Sequence, residues 1–187
     1  MGNIYVQSQS VIVEVTACRN SGTVTSTGYD TGGIVGGINS SDINAILTVT
    51  ACYNTGAVSN TGTGLNIGGI VGNLTSAGSS ITACYNMGTL TANTTSIGHI
   101  CGNNAGTITS CYWTAGSGST ATQGVGTETG TSDAKEFSAT EWPVAASMPG
   151  WGIGDGSADN TYWKALGGWN GGTPEYPRLW WENPPTP

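Results

Sequence analysis

Through the first 125 residues the chain sets its apolar residues singly or in short runs between Thr, Ser, Asn and Gly. T-V-T at Thr48, S-I-T at Ser80 and T-I-T at Thr107 are typical. Helix formers are scarce here. Thr, Ile and Val suit short strands, and Gly, Asn and Ser suit the turns between them. The pattern predicts many short strands and an all-β region.

The short pieces recur in a fixed order. A-C-x-N-x-G-x-[VL]-[ST] starts at Ala17, Ala51 and Ala83, and a worn copy, S-C-Y-W-T-A-G, starts at Ser110. The cysteines of these blocks, Cys18, Cys52, Cys84 and Cys111, are spaced by 34, 32 and 27 residues. G-G-I-V-G follows at Gly32 and Gly68, and G-H-I-C-G at Gly98. One such unit cannot bury its apolar residues alone, whereas stacked units form a continuous core. The expectation is a β-solenoid of about three to four coils over residues 1–126, rising about 4.8 Å per coil. E-V-T at Glu14 reads as the end of an earlier unit, so the array is expected to continue upstream.

Stacking gives each repeated residue a structural task. Cys18, Cys52, Cys84 and Cys111 are expected to form an inward column, as are Ile34, Ile70 and Ile100. Asn20, Asn54 and Asn86 are expected to form an amide ladder. Gly22, Gly56 and Gly88 are assigned the positive φ of a tight corner.

From Thr127 the character changes. Asp133 and Glu136 make a capping-box-like start for a short helix. Six of the seven tryptophans lie beyond position 140, among them Trp151, Trp163 and Trp169. A solenoid exposes an apolar disc at its last coil, and residues 127–187 are expected to cap it.

The repeated blocks resemble the GLUG motif of bacterial surface proteins. G-G-I-V-G-N from Gly68 and A-C-Y-N-T-G from Ala51 match its pattern closely. The first copy departs at Arg19, Gly37 and Ile38, and the third at His99 and Cys101. The resemblance spans Val15 to Tyr112 and includes the ending from Tyr176 to Glu182. It implies a β-solenoid in a secreted or cell-surface, adhesin-like protein, a rigid stalk or display scaffold. It implies no reaction. The length variation of the loops Gly64 to Ile67 and Thr91 to Ser96 raises a host or bacterial surface protein or glycan as the expected partner.

Charge narrows the classes. Net charge is −7, and the four basic residues, Arg19, Lys135, Lys164 and Arg178, are scattered. A nucleic-acid binder clusters such residues to neutralise phosphates. No apolar run reaches the roughly 18 residues of a membrane span. M-G-N-I-Y-V-Q-S is not a signal peptide, so export would rest on a leader in a longer parent chain. A monomer is expected.

Candidate chemistry is sparse. The cysteines lack C-x-x-C pairs or a neighbouring His, so no metal is expected. They read as buried thiols, with a disulfide between rungs as the alternative. His99, the sole histidine, replaces a motif glycine and is expected to face outward at a turn. Between Ala17 and Cys111 the only acids are Asp30 and Asp42, too few for a polysaccharide-active enzyme unless the C-terminal region supplies more. The chain is expected to be no enzyme and to need no cofactor. D-G-S-A-D-N from Asp155 reads as a polar turn ahead of a Ca²⁺ loop. The repeated Thr pairs raise an ice-binding face as an alternative. Trp151, Trp163 and Trp169 are the candidate glycan contacts.

Overall fold

The computed structural model describes residues 2–6, 11–40, 45–138, 149–170 and 173–182. The described chain is all-β, with no helix among the described residues. Its short strands pair in parallel from one turn of the chain to the next, the arrangement of a β-solenoid. Each complete coil has five strands. The second coil runs Ile46–Thr50, Tyr53–Asn54, Val58–Asn60, Asn66–Gly68 and Val71–Leu74. The third runs Ser80–Thr82, Tyr85–Asn86, Leu90–Thr91, Ser96–Gly98 and Cys101–Asn104. The first occupies Ile12–Thr16 to Val35–Ser40, and a fourth, irregular after Tyr112–Trp113, closes with Val125–Glu128.

Register follows the repeat. Thr48 pairs with Ser80 and Ser80 with Thr107; Asn20 pairs with Asn54 and Asn54 with Asn86. The core is a set of columns: Val49, Ile81 and Ile108 from one face, Val71 and Cys101 from another, Ile34, Ile70 and Ile100 at a corner, all essentially inaccessible to solvent. A second small core, Val58, Ile67, Leu90 and Ile97, fills the other end of the coil's cross-section and is closed by Ala121.

The corners differ from expectation. The left-handed residues at the repeated corners are Ala17, Ala51, Ala83 and Ser110, with φ of 51 to 53°, each just before its cysteine. Gly22, Gly56 and Gly88 do not take positive φ. Gly56 and Gly88 are small because the coils touch there: a Cβ on Gly56 would overlap the Gly22 carbonyl, and one on Gly88 the Gly56 carbonyl.

The C-terminal region also differs. Asp133 caps no helix; its carboxylate accepts the Ser110 N–H at 2.6 Å. Parallel pairing continues past residue 126, through Thr131–Ser132 and Lys135–Glu136. Backbone pairing to the coil below outweighs the weak preference of one capping box for a helix. The tryptophan-rich segment covers the flank of the solenoid, not its end. The physical reason is alternation along a strand: with the cysteine inward, the next residue faces out. Tyr53, Tyr85 and Tyr112 therefore form an outward aromatic column, in register. Trp151, Trp163 and Leu179 cover it and are fully buried against it. Burial of each ring stabilises by about 1.5–3 kcal/mol. Trp163–Asn170 and Thr173–Leu179 pair as an antiparallel hairpin within this strap.

Candidate functional site

Two polar columns run through the stack. The Cys52 and Cys84 thiols each serve twice. The Cys52 N–H points at the Cys84 sulfur at 3.3 Å and the Cys18 N–H at the Cys52 sulfur at 3.4 Å. The Cys52 and Cys84 thiols in turn donate to the carbonyls of Thr50 and Thr82. All five cysteines are free. Burial pushes the Cys84 thiol up, so it stays neutral. The amides are joined more tightly: Asn20 Nδ2 donates to Asn54 Oδ1 and Asn54 Nδ2 to Asn86 Oδ1, both at 2.8 Å. Each amide also bridges the glycine two residues on; Gly56 N–H donates to Asn54 Oδ1 and Asn54 Nδ2 donates to Gly56 O.

The ladder ends where the repeat wears out. Trp113 stands opposite Asn86 in the fourth coil and cannot accept an amide proton. His99 accepts it instead: Asn86 Nδ2 lies 3.2 Å from Nδ1, and Nε2 lies 3.2 Å from the Ala121 carbonyl. These contacts fix the neutral tautomer with the proton on Nε2, stacked 6.0 Å from the Trp113 ring. His99 is thus fully buried and not at an outward turn. Its burial lowers its pKa.

A cavity of about 560 Å³ lies outside the coils. Its floor is two outward columns, Arg19–Tyr53–Tyr85 and Ser21–Thr55–Met87; its wall is Tyr176–Arg178 and Glu182 of the strap. Glu182 is buried and fully used. Its Oε1 accepts from Arg19 at 2.5 Å and from the Tyr53 hydroxyl at 2.6 Å, and its Oε2 from the Leu179 N–H at 2.6 Å. Burial, and the carboxylate beside it, push the Tyr53 hydroxyl up to about 12. The Tyr85 hydroxyl donates to the Pro177 carbonyl at 2.7 Å. Trp181 stacks beneath the Arg19 guanidinium at 5.5 Å and donates to the Ala17 carbonyl.

The remaining candidates are placed apart from this groove. Trp151 and Trp163 have no surface left for a sugar; Trp151 Nε1 donates to the Ser110 carbonyl and the two indoles stack at 4.6 Å. The side chain of Trp169, and Asp42, lie outside the described residues. Thr48, Ser80 and Thr107 do stack in register with Thr50, Thr82 and Thr109 beside them, but Gly150 of the strap sits against Thr82. Asp155 accepts the Ser157 N–H in a local turn. Asp30 is held by Asn66 and Asn73. No group of three metal-ligating side chains occurs among the described residues. Sequence reasoning missed the groove because Glu182 and Arg19 are far apart in the chain. The tyrosines after Cys52, Cys84 and Cys111 were the one available signal.

No protein-family model, no curated protein and no solved structure matches the chain.

Proposed function

We propose that the chain is a non-catalytic display scaffold of a secreted or cell-surface bacterial protein, of the GLUG-motif kind. The observation that carries this reading is the run of unbroken columns. Thiols, amides and aliphatic side chains are spent on coil-to-coil contacts, and the strap fastens the first coil to the fourth. Such a body holds its shape while its corners vary, as residues 61–65 and 92–95, between the paired strands, do from coil to coil. Those corners are the surface for a host or bacterial protein or glycan. Half-exposed Thr columns leave an ice-binding role as the lesser reading, and planar Thr rows not crossed by the strap would favour it.

The test is antibody labelling of source cells. Signal on intact cells, removed by mild external protease treatment of the parent protein, is expected. Signal that appears only after lysis would overturn the reading.

A further inference from the structure

We propose that the groove under the strap binds a carboxylate-bearing sugar, with Arg178 as the anion anchor. Arg178 lines the cavity, is half-buried, and has no hydrogen-bond or ion-pair partner among the described residues. The other charges in the groove are already matched, since Glu182 is neutralised by Arg19. The cavity therefore carries one unmatched positive charge in a chain of net charge −7. A guanidinium offers five donors in a planar fork suited to a carboxylate. A volume of about 560 Å³ is within the range that holds a small ligand.

The rest of the lining selects a polyol over a peptide. A peptide docking by strand addition needs a free sheet edge. The floor strands Tyr53–Asn54 and Tyr85–Asn86 are laddered on both sides; Arg19–Asn20 ends the sheet, and its free edge points along the solenoid axis, not into the groove. On the wall, the Pro177 carbonyl is taken by the Tyr85 hydroxyl and Pro177 has no N–H to offer. What remains is the exposed hydroxyls of Ser21 and Thr55, the half-buried Met87 thioether and the Arg178 fork. Hydroxyls in a row along the axis, with an apolar edge and one cation, complement a ring with several hydroxyls and one carboxylate. The assignment stands apart from the scaffold reading: its failure leaves the columns and the strap unchanged, and a scaffold found inside the cell would still have this groove.

Calorimetric titration of the chain with a galacturonate trimer tests it. Three comparisons accompany it: the fully methyl-esterified, uncharged trimer; a tri-glutamate peptide; and the Arg178→Ala and Thr55→Trp variants. Expected are saturable binding of the acid trimer, at least tenfold weaker binding of the ester and of the peptide, and at least a tenfold loss in both variants. Arg178→Ala should melt with the parent, because its side chain holds nothing in place. Absent binding of the acid trimer overturns the proposal. So does an ester or peptide that binds as well, or an Arg178→Ala variant of unchanged affinity and melting.

Discussion

Replacing Asn54 by alanine removes four hydrogen bonds at the centre of the amide ladder. Two of the partners keep a second contact: Asn20 Nδ2 still reaches the Gly22 carbonyl, and Asn86 Oδ1 still accepts the Gly88 N–H. The other two do not. The N–H and C=O of Gly56, buried between coils, lose the side chain that bridged them. A buried backbone group left without a partner costs about 1–3 kcal/mol. Two of them set the expected loss at about 4 kcal/mol. The same change at Asn20 should cost only about 1 kcal/mol, because Gly22 is exposed and water replaces the amide. Asn54→Asp separates hydrogen bonding from shape. It keeps the volume but sets a carboxylate against Asn86 Oδ1 and the Gly56 carbonyl, so it should cost at least as much as alanine. Urea unfolding followed by far-ultraviolet circular dichroism reads all three. An Asn54→Ala loss of under about 1 kcal/mol, or a tolerated Asn54→Asp, would refute the reasoning, since the amides would then be only filler.

The other expectations follow from the same geometry. Gly56→Ala should destabilise by about 3 kcal/mol or more, because the new methyl must push the Gly22 carbonyl and so force neighbouring coils apart; thermal melting reads it. Ala51→Gly should stay within about 1 kcal/mol of the parent, since relief of a left-handed alanine, about 1–2 kcal/mol, offsets the lost burial of one methyl, about 0.8 kcal/mol. His99 is held neutral, its folded pKa below the usual 6.5. Its contribution is therefore complete above about pH 6.5 and is lost as pH falls through the lower folded value. His99→Gln should remove that share of the pH dependence in urea unfolding between about pH 7 and 5, and an unchanged slope would count against the assigned tautomer. Thiol labelling of the native protein should modify Cys18 alone, because Cys52, Cys84, Cys101 and Cys111 are buried; labelling of all five before unfolding would contradict the columns.

The coils were readable in the sequence because stacking imposes the same demand at each level. Cysteine, asparagine and glycine recur in one frame since each meets its own kind above and below. Periodicity does not reveal which backbone angle a corner uses. Glycine was the natural candidate for positive φ, yet close approach explains the glycines and alanine takes the strained angle. The helix expected at Asp133 failed for a related reason: a local capping signal was set against a ladder already three coils long. The strap's position was hidden, since six tryptophans beyond position 140 say that something apolar must be covered but not what. Alternation could have shown it. A column of tyrosines beside an inward cysteine column has to face out, and an aromatic column facing water calls for a cover. His99 could be located only through the coil above, where Trp113 fails to accept what Asn86 donates.

The strap runs from the fourth coil back to the first, where Trp181 meets Ala17 and Glu182 meets Arg19. The two ends of the described chain thus leave the molecule at one pole. Tension applied through them would be borne by those few contacts and by the pairing of Ile4–Val6 with Val35–Ser40, and would bypass the hydrogen bonds between the later coils. Under load the coils would hang from the tether as a pennant does from its halyard, with the short strands Thr131–Ser132 and Lys135–Glu136 at the free tip.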